Sequence, residues 1–463
     1  MCGRSGRDLF AWPMRHLRLP GIAGRVEYAQ LLHDASEMRP LALVGRRVPG
    51  RGGVAGPGQD AVEANEDGGA MSDDVRLGVI GFGLRRSLAV AAHRPGAGSR
   101  VVAVCDLDEQ VRAREAATFG AELVTADYHD LITAPGVDAI IVNTPDHTHE
   151  AIALDVLRGG KPVYVEKPLG ITIEQCDTML RTARQTGTRI YVGHNMRHMG
   201  VVRLMRDIVA RGDIGTPQTV WVRHFVGHGG DFYFKDWHAD RRNTTGLLLQ
   251  KAAHDIDVLH WIAGGYAQQV QALGDLKVYG DLPRRAPGEP KPDDWLSPAT
   301  NWPPRSQRDL NDVVDVEDVS LVNMRLDNGV LAAYQQCHFT PDYWRNYTVI
   351  GDAGRLENFG DGPGDVVKVW NARRSGYRPE ADIEYRVPDS GGSHGGADPK
   401  IIAEFCRFVR EGGATDTSPV AARMSVAAGV QATKSLRDNG RPYEVPPLDP
   451  DLVDYFTRGQ VER

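Results

Sequence analysis

Residues 246–265, GLLLQKAAHDIDVLHWIAGG, set polar side chains into a mostly apolar run. Leucines 247 to 249, Ala252, Ala253, Ile256, Val258, Leu259, Trp261 and Ile262 read as core. Among them stand Gln250, Lys251, His254, Asp255 and Asp257. Charged groups cost too much to bury without a partner or a purpose. On a helix, Gln250, His254, Asp257 and Trp261 share one flank, and Lys251 lies a turn before His254 on the adjoining flank. The polar set is then a stripe on a core helix, as expected where such a helix lines a pocket. A histidine there titrates near neutrality and can take a proton from a hydroxyl. Standing alone, it reads more readily as a satisfied core histidine.

A second group of residues could hold a phosphate. VIGFGLRR places Gly81 and Gly83, with Phe82 and Leu84 between and after them, where a strand passes into a helix. Such a turn lets backbone N–H groups approach a pyrophosphate at a helix N-terminus. The third glycine of the usual G-x-G-x-x-G is absent, and Arg86 stands in its place. Asp106 ends the second strand, where a carboxylate can accept hydrogen bonds from ribose hydroxyls. It would repel a 2′-phosphate, which favours NAD over NADP, although Arg112 and Arg114 on the next helix could blunt the preference.

These residues need a scaffold, and the composition bounds it. A chain of 463 residues suffices for two or three domains, each with its own core. A net charge of -7 gives no electrostatic reason to expect nucleic acid. No apolar stretch approaches the roughly 20 residues needed to span a bilayer. The five cysteines are scattered and form no CxxC pair, so neither a disulfide framework nor a cysteine metal site is expected. No HExxH occurs, and no metal site is expected from the histidines. A reduced, cytoplasmic enzyme is the plain reading. Residues 1–74 are rich in glycine and polar side chains and read as a disordered extension, with Met71 as the expected biological start.

From Val75, short β-branched runs alternate with helical segments, which predicts βαβ crossovers and a parallel sheet buried on both faces. Residues 75–195 are therefore expected to form an open α/β unit. Residues 196–463 read differently. Runs such as VSLVNMRL alternate with period two, and Asn328-Gly329 marks a tight hairpin. An α+β unit with a large, mainly antiparallel sheet is expected there. It is interrupted by a proline-rich loop at 283–304, and helices close its C-terminal part.

Two further motifs carry a resemblance. NTPDHTH, Asn143 to His149, follows the fourth expected strand, and VEKPLG, Val165 to Gly170, follows the fifth. With the glycine turn, with GHNMRH at the junction of the units, with NYTVIGDAGRLEN and with HGGADP, they resemble the glucose–fructose oxidoreductase and inositol dehydrogenase family (Gfo/Idh/MocA). The resemblance implies an N-terminal Rossmann domain that binds a nicotinamide cofactor, a second domain on an open sheet, a homodimer or homotetramer, and a carbohydrate substrate. It implies that Thr144, Pro145, His149, Glu166, Lys167 and Asn195 join the glycine turn and Asp106 around the cofactor. It further implies that Lys167 lies beside the reacting hydroxyl and that His254 is the general base. A lysine near a cationic ring can have a lowered pKa and bond an alcohol oxygen, and Pro168 could aim it through a cis bond.

One departure from the family pattern matters. Many members carry an aspartate four residues before the histidine, where this chain has Gln250, which cannot ionise. Gln250 and Lys251 are then expected to position substrate, with Lys251 or Asp257 taking part of the missing role. Trp237 offers a flat face to a sugar ring, and His238, Arg241 and Asn243 offer hydrogen bonds, although a polar loop accounts for them equally well. His394 or Asp398 could reach the pocket rim, and Asp398 could equally cap a helix. Three functions compete: an NAD-dependent dehydrogenase of a sugar or polyol hydroxyl, a glycosidase that recycles its NAD through a closed redox and elimination cycle, and a non-catalytic NAD-binding sensor.

Overall fold

The β-branched runs of the first unit build a six-stranded sheet. Its strands are β1 (Val75–Ile80), β2 (Ser99–Cys105), β3 (Leu123–Thr125), β4 (Ala139–Val142), β5 (Val163–Val165) and β6 (Ile190–Val192). They lie in the order β3-β2-β1-β4-β5-β6, and every pair is parallel. β4, β5 and β6 are buried along their whole length, as strands covered on both faces must be. The computed structural model describes residues 74–292, 301–389, 391 and 393–462. The N-terminal extension up to residue 73 and residues 293–300 of the proline-rich loop lie outside the described residues.

Local signals start and stop the crossover helices. Asp108 caps the helix Glu109–Phe119 by accepting from the N–H groups of Gln110 and Val111, and Gly120 ends it at φ 61°. Thr172 and Gln175 form a capping box on Ile173–Thr186. The strand order reverses between β1 and β4, so the loops after these two strands diverge and open a crevice at their C-terminal ends. The glycine turn follows β1, and NTPDHTH follows β4.

The second sheet has nine strands. They are β7 (Pro217–Phe225), β8 (Ala267–Asp275), β9 (Val319–Leu326), β10 (Leu331–Cys337), β11 (Trp344–Gly351), β12 (Arg355–Phe359), β13 (Val366–Trp370), β14 (Ile383–Arg386) and β15 (Tyr443–Glu444). Their order is β14-β13-β12-β11-β7-β10-β9-β8-β15, and only the β10–β7 pair is parallel. In β9 the alternation seen in the sequence sends Ser320, Val322, Met324 and Leu326 inward. The helices Ala252–Ala263 and Pro419–Arg437 cover this inner face. On the opposite face Trp221, Leu273, Leu321 and Leu331 stay about half exposed. The Asn328-Gly329 turn joins β9 to β10, with Gly329 at φ 87°.

Two elements differ from the sequence expectation. The helix expected across 247–262 is broken at Lys251 into Leu247–Gln250 and Ala252–Ala263. The helix Ser393–Glu411, counted above with residues 196–463, returns to the first unit. Ile401, Ile402, Phe405 and Phe408 share one core with Leu77, Val79, Leu88, Tyr164 and Tyr191. The reason is the apolar face of that first sheet, which needs a cover that the short helix Arg86–Ala92 is too small to supply alone. Among the described residues no helix is long and apolar enough to cross a membrane.

Candidate active site

A cleft of about 790 Å³ runs from the glycine turn to the helix Ala252–Ala263. At one end Gly81 adopts φ 87°, and its N–H donates to the Cys105 carbonyl at 2.9 Å. A Cβ there would stand 3.0 Å from the Asn143 carbonyl oxygen and from Thr144 Cγ2, so only glycine lets the turn press against NTPDHTH. A Cβ on Gly83 would meet nothing within 4 Å, which leaves this backbone open to a ligand. The Phe82 N–H donates to Asp106 Oδ2 at 2.9 Å, and the Asp108 N–H donates to Asp106 Oδ1 at 3.0 Å. Asp106 thus holds the turn while lining the cleft. Leu84, Thr144, Pro145 and Asn195 line it as well.

Arg85 was not singled out in the sequence, yet it ties three segments together. Its Nε donates to Glu166 Oε1 at 2.8 Å, and its terminal nitrogens reach both Asp398 oxygens at 3.1 Å. Burial opposes its charge, but Glu166 and Asp398 outweigh burial and hold the guanidinium well above its ordinary pKa. Asn195 Nδ2 donates to the same Asp398 at 3.1 Å. Asp398 is therefore an anchor inside the helix Ser393–Glu411 rather than its cap. The side chain of His394 lies outside the described residues.

At the other end the Lys167–Pro168 bond is cis. Lys167 Nζ donates to the Gln250 carbonyl oxygen at 3.1 Å, and the Lys167 N–H donates to Glu166 Oε2 at 2.8 Å. Burial lowers the Lys167 pKa, with the carboxyl groups of Asp146 and Glu166 pulling the other way. Asp146, also unremarked in the sequence, is 4% exposed and faces Lys167 and Gln250. Burial pushes its carboxyl up to about 8. His254 is neutral near pH 7, because burial and then Lys167 hold it well below its ordinary value. Lys251 is drawn down to about 7, first by burial and then by Arg345 and Lys167. Trp237 stacks on His238 with ring centroids 3.8 Å apart, and both rings line the cleft.

Several of the expected site residues do not line the cleft. Asp257 is buried against Arg197, with its oxygens 2.7 Å from Nε and from a terminal nitrogen, and lies 3.3 Å from His194 Nδ1. It shares the flank of His254, but that flank runs past the cleft and under the turn Asn195–His198. Arg241 points to solvent and pairs with Asp315 at 3.0 Å. His149 is fully buried and bridges two carbonyl oxygens, Pro168 at 2.8 Å and Thr144 at 2.9 Å. It fixes the two motif loops to each other. Asn243 donates to the Trp237 carbonyl oxygen at 3.1 Å and shapes its own loop. Asp255 is also structural, held in a fully buried network with His224, Tyr334, Tyr347 and Arg345.

Comparison with known proteins identifies the family. Residues 75–194 match the family described as oxidoreductase family, NAD-binding Rossmann fold, and residues 202–357 match the GFO/IDH/MocA C-terminal domain. The chain belongs to the Gfo/Idh/MocA oxidoreductase family. Inositol 2-dehydrogenase of Burkholderia multivorans is 34% identical over 199 residues, which is 41% of this chain and 55% of that protein. Inositol 2-dehydrogenase 1 of Saccharopolyspora erythraea is 35% identical over 191 residues, 41% of this chain and 54% of that one. The match thus spans about half the length of these two relatives. Levoglucosan dehydrogenase, solved in complex with NADH and levoglucosan, shares the fold with a TM-score of 0.66 at 19% identity. That alignment covers 81% of this chain and 100% of the other.

The Gfo/Idh/MocA assignment implies a nicotinamide dinucleotide, and the residues present fit one. Among the buried polar atoms without a hydrogen-bond partner in the described residues, several line the cleft: both amide atoms of Asn143, Asp146 Oδ2, Asn195 Oδ1, Gln250 Oε1 and His254 Nδ1. Buried polar groups in folded proteins are normally satisfied, so a row of orphans marks where a polar ligand belongs. The open backbone at Gly83 and the carboxylate of Asp106 suit its pyrophosphate and ribose.

Proposed function

We propose that this family member is an NAD-dependent dehydrogenase that oxidises a secondary hydroxyl of a sugar, polyol or related carbohydrate. The observation that carries this reading is the convergence of Lys167, Asp146, Gln250 and His254 at the inner end of the dinucleotide cleft. The glycine turn, Asp106, Thr144, Pro145, Glu166 and Asn195 would hold the cofactor. When bound there, the nicotinamide supplies the acceptor for the hydride that leaves the alcohol carbon.

The remaining chemistry belongs to this chain. His254, kept neutral, takes the hydroxyl proton. Lys167 donates a hydrogen bond to the oxygen as charge builds on it, the term that removal of either group would forfeit. Asp146, pushed up to about 8, is a carboxyl that can exchange a proton with Lys167. Trp237 and His238 form one wall for a sugar ring, and Gln250 keeps a free amide oxygen for a hydroxyl. NAD is preferred to NADP because Asp106 stands at the ribose position. Arg114 is turned away to Glu115, while Arg112 is occupied by the carbonyl oxygens of Asp106 and Leu107. The half-exposed apolar side chains on the open face of the large sheet support a homo-oligomer.

The test is nicotinamide absorbance with NAD and a panel of sugars, polyols and glycosides. Net NADH from one substrate class is expected, with a fall of roughly 10²- to 10⁴-fold in His254→Ala and Lys167→Ala. Glycoside cleavage without net NADH would instead identify the closed redox cycle. NAD binding with no turnover of any compound would favour a sensor.

A further inference from the structure

Lys251 has no carboxylate in contact with it among the described residues. It sits at the break between Leu247–Gln250 and Ala252–Ala263, and its side chain enters the cleft beside Lys167. Its Nζ lies 5.5 Å from the centre of the Tyr233 ring, and it makes no hydrogen bond or ion pair with any described residue. The carboxylates around it are already committed. Asp255 is held by His224, Tyr334, Tyr347 and Arg345. Asp361 accepts from the Tyr343 hydroxyl and lies 3.7 Å from Arg345. Glu166 is taken by Arg85 and by the Lys167 N–H. Burial favours the uncharged form of Asp146. Arg345 and Lys167 add positive potential to the same corner. An ammonium placed this way gives up its proton readily, and an anion bound beside it would hold the charge.

We propose that the missing charge is carried by the substrate, which is a sugar acid whose carboxylate pairs with Lys251 while its reacting hydroxyl faces Lys167 and His254. The assignment rests on the carbohydrate dehydrogenase reading and deepens it. The backbone makes the two sites neighbours, since Lys167 Nζ binds the carbonyl of the residue that precedes Lys251. A single ammonium matches a single negative charge. A phosphate dianion is better served by several donors or an arginine fork, and the nearby guanidiniums of Arg85 and Arg345 are occupied. The alcohol is oxidised to a ketone in this scheme, and the carboxylate binds without reacting.

The experiment uses the full chain with NAD and compares gluconate and glucuronate with glucose and myo-inositol, with glucose 6-phosphate as a separate arm. Each compound is also titrated calorimetrically into the NADH-loaded protein. The acids are expected to exceed the neutral compounds in kcat/KM by about tenfold or more, a difference carried by KM. Lys251→Met should abolish that preference, and Lys251→Arg should keep part of it. Equal or better turnover of neutral compounds would overturn the proposal, as would an acid preference that survives Lys251→Met. Glucose 6-phosphate as the best substrate would overturn the choice of a carboxylate. If nothing is turned over, calorimetry separates the two readings. Acid binding that Lys251→Met abolishes would keep the charge assignment and sink the dehydrogenase, whereas no acid binding would sink the assignment.

Discussion

Lys251 and His254 stand three positions apart on adjoining flanks, and both are drawn toward their neutral forms by burial and neighbouring cations. The sign of the pH effect differs between their roles. A base must be neutral to accept a proton, so His254 stays competent through neutrality. An anion receptor must be charged, so Lys251, drawn down to about 7, loses its grip as pH rises through that value. The groups facing it are Arg345, Lys167, Asp255 and Asp361. For an acidic substrate KM should therefore rise with pH across neutrality in the native chain and stay flat in Lys251→Arg, which steady-state kinetics would check. The sequence made both residues legible because helical spacing alone puts them on adjoining flanks. Asp146 was quoted inside its motif and still passed over, since nothing local reveals that its carboxyl meets Lys167. The reading of Asp257 as a substrate group failed for a related reason. Its partner Arg197 lies 60 positions away, and flank geometry cannot show where a cleft ends.

The elements explain why these side chains stay aligned. Asp257 and Arg197 fasten the helix Ala252–Ala263 to the turn Asn195–His198. Burial opposes the Asp257 charge, but Arg197 and His194 outweigh it and hold the carboxyl below its usual range. The pair therefore adds stability above about pH 4, and that contribution is lost only as pH falls through the lowered value. Asp257→Ala leaves Arg197 buried and unpaired and should cost about 3–5 kcal/mol, measured by denaturant unfolding. Arg85 does the same for the cofactor half, joining the glycine turn, the Glu166 strand end and the helix Ser393–Glu411. Arg85→Ala should weaken NADH binding by on the order of tenfold or more, read by fluorescence titration, because it frees two buried carboxylates beside the cofactor cleft. The strands were legible from period and β-branching. The helix break at Lys251 was not, since no proline or interior glycine marks it.

For the whole molecule, the decisive surface is the open face of the nine-stranded sheet. Leu273 and Leu321 pair across β8 and β9 at 58% and 49% exposure, and Trp221 and Leu331 stand on the same face of β7 and β10, interspersed with Arg223, Arg325 and Gln335. Exposed apolar side chains on an open sheet face fit the homo-oligomer proposed above. The double variant Trp221→Glu, Leu321→Lys is expected to shift the protein to monomers in light scattering coupled to gel filtration, with NADH binding retained. The change from a parallel to a mainly antiparallel sheet was legible from the change of hydrophobic period, but the return of Ser393–Glu411 was not, because an apolar helix does not announce which sheet it will cover. Its return also decides how such enzymes could be recombined. A hybrid joined at residue 195 would give the cofactor sheet a foreign lid and leave Tyr164 and Tyr191 against mismatched partners. Exchange of cofactor preference between relatives should succeed only when 75–195 and 393–411 travel together, as one cassette inherited in two pieces.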